Sequence, residues 1–72
     1  MDEKVIYQVV EEDEGVEYTF DYDNEKEAIE HCAHLLQAAE ELEISADVYN
    51  VFVVRVTIDS LGNETRRLIY SE

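Results

Sequence analysis

The side chains best suited to chemistry lie in the segment EHCAH, residues 30–34. His31 and His34 are three residues apart, so a helix would carry them about one turn from each other, close to Glu30. Imidazole and carboxylate groups at this spacing can share a divalent metal ion. A catalytic zinc site usually needs three protein ligands on an inward surface, whereas helical periodicity places His34 opposite the apolar side of the helix. We therefore expect surface histidines, no metal site and no cofactor.

Cys32, the only cysteine, is the candidate nucleophile of this segment. The apolar stripe of the predicted helix includes it, and a thiol in such a stripe packs as a small hydrophobic group. Acidic surroundings raise the pKa of a thiol and make it a weaker nucleophile. His31 is adjacent in sequence, and adjacent residues of a helix do not face each other. We expect Cys32 to belong to the core rather than to a Cys-His catalytic pair.

The segment DYDNE, residues 21–25, begins like a calcium-binding loop. Such a loop needs glycine at its sixth position and glutamate at its twelfth, where this chain has Lys26 and Cys32. The sequence also contains no glycine-rich phosphate loop and no nucleophile elbow. We expect no catalytic residues, and the protein is predicted not to be an enzyme.

Acidity is the strongest feature of the sequence. The net charge is −14 with five basic residues, and residues 11–27 hold nine carboxylates and one lysine. Such a chain lacks the bases that bind a nucleic-acid backbone or an anionic membrane, and it attracts basic partners instead.

A solvated surface is the usual explanation of a run of like charges, but two features favour a surface that binds a partner. Glu40, Glu41 and Glu43 crowd the predicted C-terminus of the helix, where the helix dipole disfavours anions. The hairpin acids have few counter-charges nearby in sequence, and local rules broken without compensation are expected where function lies. The predicted partner-binding acids, expected to share one face of the hairpin, are Glu11, Glu12, Asp13, Glu14, Glu17, Asp21 and Asp23.

The pattern of apolar residues predicts five elements in one domain, residues 1–72. Alternation of apolar and polar residues predicts strands, and an apolar stripe of helical period predicts a helix. The order is β-β-α-β-β, an α+β fold in which one helix covers a face of a four-stranded antiparallel sheet. The predicted ranges are strands 4–10 and 16–22, a helix from Asn24 to about Glu43, and strands 47–59 and 64–71.

Matching apolar faces predicts which residues pair across the two hairpins. Val9 opposite Tyr18 leaves a four-residue loop in the first hairpin, and Val56 is placed opposite Leu68 in the second. The same pattern turns Phe52, with the other even-numbered residues of its strand, towards the helix. The outer face of the sheet then remains apolar, and a face of this kind is often covered by another protein surface. The residues predicted to form this dimer or partner contact are Ile6, Val10, Tyr49, Val51 and Val53.

In size and composition the chain resembles the small phage-encoded inhibitors of bacterial defence, among them anti-CRISPR proteins and DNA mimics. The features that carry the resemblance are a very short α+β chain, a single cysteine and strong acidity. It implies a protein without catalytic residues that presents carboxylates to the basic nucleic-acid channel of a target. The resemblance is one of class, and it transfers no individual residue.

A second resemblance is local to the first half of the chain. The segments YQVVEEDEGVEYTF, residues 7–20, and DNEKEAIEHCAHLL, residues 23–36, are similar to the hairpin and helix that open HicB-like antitoxins. The Pro-Gly-Cys segment usual between strand and helix in that family is absent here. The resemblance therefore implies only a shared β-β-α construction.

Two functions of different classes fit these observations. The first is a non-enzymatic inhibitor that docks its acidic hairpin on a basic surface of a nucleic-acid-binding protein, without binding nucleic acid or membrane itself. The second is a homodimeric structural or assembly module, antitoxin-like in its opening, whose acidity only keeps it soluble. A single cysteine, and acids where a secretion signal would carry bases, are typical of a protein in the cytoplasm of a bacterial host.

Overall fold

The computed structural model describes residues 3–71, which form a four-stranded sheet and one helix. Neighbouring strands are antiparallel, and the sheet has the order β2-β1-β3-β4. The predicted α+β class and the β-β-α-β-β order are confirmed. Within the described residues, no helix is long and apolar enough to cross a membrane. The elements are β1 Lys4–Asp13, β2 Val16–Tyr22, α1 Glu25–Glu41, β3 Tyr49–Ile58 and β4 Glu64–Ser71.

Helix α1 begins at a capped end and turns its small residues towards the sheet. The side-chain oxygen of Asn24 accepts a hydrogen bond from the Glu27 backbone N–H at 3.2 Å, which satisfies one of the free donors of the first turn. Ala28 and Cys32, four residues apart, have no exposed surface and share one cluster with Val9. Small side chains at these positions allow the helix to approach the central strands closely.

The first hairpin has a two-residue turn instead of the predicted four-residue loop. Glu14 and Gly15 have φ values of 50° and 85°, and two positive values in succession are those of a type I′ turn, whose twist matches that of the strands. Val9 consequently lies opposite Phe20 rather than Tyr18, and the predicted register is wrong by two residues. A shift of two keeps each side chain on its predicted face, because side chains alternate with a period of two.

The predicted faces of β3 are reversed in the structure. Val53 lies opposite Val9 in the core beneath α1, and Tyr49 and Val51 belong to the same cluster. The prediction that these three β3 residues lie on the outer face is therefore wrong, and so is the prediction that Phe52 faces the helix. β3 is apolar and buried on both faces, so alternation within it does not identify the helix side.

The outer face of the sheet has an apolar centre, where Ile6 and Val10 lie as predicted. Val10 is almost fully buried although no second layer of the described chain packs on this face, so its own neighbours cover it. Leu68, on the edge strand, is 58% exposed. The buried members of this cluster are Val10, Val54 and Val56, and the partly buried ones are Ile6, Phe52 and Ile58.

A chain of polar side chains crosses this outer face. The strand pairing places Arg66 opposite Val56, and from there the guanidinium Nη2 donates a hydrogen bond to Gln8 Oε1 on β1 at 2.7 Å. Gln8 Nε2 donates in turn to Asp21 Oδ1 on β2 at 3.0 Å. The Arg66 side chain therefore passes over β3 and shields part of its apolar surface.

Asp59 fixes the turn of the second hairpin. One of its carboxylate oxygens accepts hydrogen bonds from the backbone N–H groups of Asn63 and Leu61, both at 2.9 Å, and Gly62 has the positive φ of 85° that this turn needs. The hydrogen bonds from Asn63, and then from Leu61, hold the pKa of Asp59 below its usual range. Leu68 lies opposite Val54 rather than Val56, so the predicted register of this hairpin is wrong by two residues.

Strand β4 also contains a bulge. The register shifts between the pairs Val53–Tyr70 and Val54–Leu68, which leaves Ile69 without a partner on β3. A bulge of this kind bends an edge strand and interrupts its hydrogen-bonding pattern. The two edges of the sheet therefore differ, because β2 pairs with β1 without any shift.

Candidate functional site: the tip cleft

The turn of the first hairpin and the loop before β3 enclose a cleft of about 390 Å³. The Glu14 backbone N–H donates a hydrogen bond to the Val48 carbonyl at 2.8 Å and holds the turn against this loop. We call this cleft the tip cleft. Its lining residues are Glu12, Glu14, Gly15, Val16, Glu17, Asp47, Val48 and Asn50.

Two of the carboxylates in the tip cleft face each other across the hairpin. Glu12 lies directly opposite Glu17, one pair away from the pair Asp13–Val16 that closes the turn. A two-residue turn makes the closing pair a hydrogen-bonded one, so Glu12 and Glu17 form a non-hydrogen-bonded pair with Cα atoms only about 4.5 Å apart. Like charges in this position destabilise a sheet. The fold therefore carries a local electrostatic cost at the tip.

Basic residues do not neutralise these acids. Among residues 3–71 the ion pairs are Lys26–Glu30 at 4.0 Å and Arg66–Glu64 at 3.5 Å. Both pairs are solvent-exposed and contribute little to stability, and neither includes a residue of the tip cleft. The cleft therefore presents a concentrated negative potential to solvent.

The seven predicted acids are divided between the two faces and the two ends of the hairpin, so the prediction that they share one face is wrong. Glu11 and Asp13 point to the helix side, because side chains alternate along β1. Asp21 lies towards the far end of β2, where it accepts the hydrogen bond from Gln8, and Asp23 follows that strand. The predicted acids that line the tip cleft are Glu12, Glu14 and Glu17.

Asp47 lies outside the predicted acidic hairpin, yet it lines the tip cleft. Its backbone N–H donates to Ser45 Oγ at 3.1 Å, and the Val48 N–H donates to the Ser45 carbonyl at 3.1 Å. Serine two residues before aspartate is a recognisable turn signal, but it predicts only local structure. The contact that holds this loop against the hairpin is the backbone hydrogen bond from Glu14 to Val48, and the pattern of side chains in the sequence does not predict it.

Glu11 has a structural partner on the helix side. The Tyr49 hydroxyl donates a hydrogen bond to Glu11 Oε2 at 2.5 Å and ties the start of β3 to β1. Burial, and then the hydrogen bond and negative charge of Glu11, raise the pKa of Tyr49 well above its usual value. This bond leaves Glu11 less suited to partner binding than the acids of the tip cleft.

Replacing Tyr49 by phenylalanine is expected to lower the free energy of unfolding by about 1.5 kcal/mol, the range of a hydrogen bond to a charged group. Urea denaturation at neutral pH measures this change. Tyr18→Phe is the matched control, because Tyr18 is 49% exposed and its hydroxyl has no hydrogen bond among the described side chains. Equal stability of the two variants would show that the Tyr49–Glu11 bond contributes nothing.

Neutralising the tip cleft is expected to stabilise the free protein. The cleft variant carries Glu12→Gln, Glu14→Gln, Glu17→Gln and Asp47→Asn, and it removes repulsion worth about 1 kcal/mol in low salt. Because salt screens exposed charges, the difference from wild type should shrink as ionic strength rises. Thermal denaturation at low and high salt measures both effects, and a cleft variant less stable than wild type at low salt would contradict them.

The side chains of the segment EHCAH, residues 30–34, lie partly in the core and partly at the surface. His31 packs edge-on against the Phe20 ring at 4.9 Å and shares a hydrogen bond of 2.8 Å between its Nδ1 and the Tyr22 hydroxyl. His34 is exposed, and Cys32 is buried as predicted, with a pKa raised by burial to about 11. In the part of the chain that the structure describes, no group of three or more His, Cys, Asp and Glu side chains is placed to hold a metal ion.

The tip cleft is chemically suited to bind cations of protein origin. Its carboxylates accept hydrogen bonds from guanidinium or ammonium groups, and its two valines can contact the aliphatic stem of such a side chain. Comparison with known proteins returns no match to a family model, to a curated protein or to a solved structure.

Proposed function

We propose that the protein is a non-enzymatic binding protein that docks its tip cleft on a basic surface of a nucleic-acid-binding protein in the bacterial cytoplasm. The observation that carries the proposal is that four acidic residues line one concave surface, without an ion pair to any of them among residues 3–71. Blocking a basic nucleic-acid channel, as anti-CRISPR and DNA-mimic inhibitors do, is the activity that this surface suits.

These acids lower the stability of the hairpin locally, and this loss of stability supports a function for them. Glu14 occupies a left-handed position with φ of 50°, where asparagine, aspartate or glycine is usual. Glu12 and Glu17 repel each other across the hairpin. Charges that are kept against local structural preference, without local compensation, are expected at binding surfaces.

Electrostatics would govern how the complex forms, and apolar contact would govern how long it lasts. A concentrated negative surface steers a basic partner and raises the association rate, and this effect weakens with salt. Val16 and Val48, 50% and 44% exposed, lie in the cleft and offer apolar contact that salt does not screen. We therefore expect strong salt dependence with residual binding at moderate salt.

The observations favour this function over a homodimer built on the outer face. Val51 and Val53, which the homodimer was expected to use, lie beneath α1. The remaining outer-face valines are already buried within one chain, partly under the Arg66 side chain. An interface needs apolar surface that is exposed before association. Of the apolar residues on this face only Leu68 is largely exposed, and Ile6, Phe52 and Ile58 are partly buried, so the face offers a limited apolar area.

A capture experiment from bacterial lysate tests the proposal with three forms of the protein. They are wild type, the cleft variant, and a distal variant with Glu25→Gln, Glu27→Gln, Glu30→Gln and Glu64→Gln, which removes the same number of charges elsewhere. Bound proteins are quantified at low and moderate salt, and duplex DNA is added as a competitor. Circular dichroism checks that all three forms are folded.

Wild type and the distal variant should both retain basic nucleic-acid-binding proteins, which duplex DNA should displace. The cleft variant should retain roughly 30-fold less, since four exposed charge contacts at about 0.5 kcal/mol each total about 2 kcal/mol. Equal retention by the cleft variant, or equal losses in both variants, would show that the position of the acids in the cleft is irrelevant.

A further inference from the structure

Strand β2 is an open edge that carries acidic side chains but has no bulge, proline or basic residue. The sheet order places β2 and β4 at the two edges. Edge strands are commonly protected by bulges, prolines or basic side chains, and β4 has both a bulge and two arginines. β2 has the sequence VEYTFDY and pairs with β1 without a register shift. It therefore offers a regular row of unpaired backbone groups.

The two-residue turn determines which backbone groups face the open side. The closing pair Asp13–Val16 is hydrogen-bonded, and hydrogen-bonded pairs then alternate along the ladder. The N–H and C=O groups of Tyr18 and Phe20 are therefore used by β1. Those of the intervening residues, Glu17, Thr19 and Asp21, point away from the sheet and are available to another strand.

The side chains of β2 present two different surfaces to such a strand. On the helix side, Val16, Tyr18 and Phe20 are 50%, 49% and 38% exposed, and the Phe20 ring rests against His31 of α1. On the outer side lie Glu17, Thr19 and Asp21, all of them exposed. A strand beside β2 would therefore meet apolar side chains on one face and carboxylates on the other.

A second copy of this chain does not fit this edge. Antiparallel pairing of β2 with itself about Thr19 would place Glu17 of each chain opposite Asp21 of the other, and like charges opposite each other destabilise a sheet. The β4 edge of another copy is interrupted at its bulge. The acids on this edge therefore disfavour self-association and favour a basic strand.

We propose that an extended segment of the basic partner, alternating Lys or Arg with apolar residues, adds to β2 as an antiparallel fifth strand. This inference rests on the proposed function and gives the partner a chemistry and a backbone conformation. Its basic side chains lie against Glu17 and Asp21, and its apolar side chains cover Tyr18 and Phe20. Main-chain hydrogen bonds to Glu17, Thr19 and Asp21 supply register, as in other cases of strand addition.

The test uses the 72-residue chain and a synthetic peptide of eight residues in which arginine and valine alternate. A block peptide, with the four arginines before the four valines, has the same charge and composition. Two further peptides carry N-methyl groups, either on the arginines or on the valines. In the proposed complex the backbone N–H groups of the arginines bond to β2, so methylating them blocks pairing. The valine N–H groups point away from β2, so methylating them leaves the pairing intact.

Binding is measured by calorimetry, and amide hydrogen exchange is followed residue by residue by NMR. At a peptide concentration about ten times Kd, exchange at Glu17, Thr19 and Asp21 should slow by roughly tenfold, while Tyr18 and Phe20 change little. The alternating and valine-methylated peptides should bind alike. The block and arginine-methylated peptides should bind at least about tenfold more weakly, since they lose the pattern or the main-chain bonds.

Equal binding of all four peptides, without the alternating protection, would overturn strand addition. The same protection pattern in the free protein, together with a dimer in sedimentation, would also overturn it, because the occupant would then be a second copy. The proposed function fails separately, through unchanged capture by the cleft variant. A third outcome is that the cleft variant loses capture while the β2 amides stay unprotected in the complex captured by wild type. That outcome would support electrostatic docking and overturn the fifth strand.

Discussion

The variant Val53→Arg is expected to lose most or all of its folding stability at room temperature. Val53 has no exposed surface and packs in one cluster with Val9, Ala28 and Cys32 between the sheet and α1. A guanidinium there has no acidic partner and overfills a closely packed site, which costs about 4 kcal/mol or more. A domain of this size has a total stability of only about 4 to 10 kcal/mol. Circular dichroism and thermal denaturation measure the effect.

Val16→Arg is the matched control for this variant. Val16 is 50% exposed on β2 and lies beside the acids of the tip cleft, so the same substitution should not lower the free energy of unfolding. A folded Val53→Arg variant that had only lost self-association would place Val53 on the outer face. That result would reverse the assignment of the two faces of β3.

The second large effect is a loss of stability at high pH that depends on Cys32. Burial raises the pKa of Cys32 from 9.0 to about 11, so the folded protein keeps its thiol proton where the unfolded chain loses it. Stability is therefore fully present below about pH 8.5 and falls by about 1.4 kcal/mol per pH unit between the two pKa values. The loss reaches about 2 kcal/mol near pH 10.5 and levels off only above pH 11.

Urea denaturation between pH 7 and 10.5, compared for wild type and Cys32→Ala, isolates this contribution. Tyr49 also has a raised pKa and adds its own alkaline slope in both proteins, and because Cys32 is the smallest of the causes that raise it, this slope changes little in Cys32→Ala. The gap between the two stability curves should therefore change only above about pH 8.5. Parallel curves across the whole range would show that Cys32 ionises equally well in the folded and unfolded states.

Cys32 should also resist alkylation. At pH 8 a thiol with a pKa near 11 is ionised about a hundredfold less than one near 9, and its burial blocks access. Modification by iodoacetamide should therefore be slow, at a rate set by the small unfolded population, and should speed up when urea is added. Rapid modification of the native protein would contradict the placement of Cys32 in the core.

The elements that the sequence predicts well are those with a single apolar face. The helix stripe and the alternation in VEYTFDY each have one apolar face and one polar face, so element type and face are predicted correctly. β3 is apolar on both faces, and nothing in its own pattern distinguishes Val53 from Val54. Its orientation depends on which side chains fit beneath Ala28 and Cys32, and this is a property of packing.

The site is predicted less completely than the fold. The acidity of the first hairpin identifies Glu12, Glu14 and Glu17, because crowded like charges are visible in sequence. Asp47 joins them through a backbone hydrogen bond between Glu14 and Val48, which no side-chain pattern predicts. The two-residue turn is also missed, because Glu14 takes a positive φ there and glutamate is not a residue that signals such a turn in sequence.

The salt dependence of partner binding tests the central claim most directly. A basic nucleic-acid-binding protein retained in the capture experiment is purified, and its Kd for wild type, the cleft variant and the distal variant is measured between 50 and 200 mM salt. We predict that affinity for wild type and the distal variant falls by about tenfold or more over this range, and that affinity for the cleft variant is weaker and nearly flat. Equal salt dependence in all three proteins would mean that the carboxylates of the tip cleft do not form the binding surface.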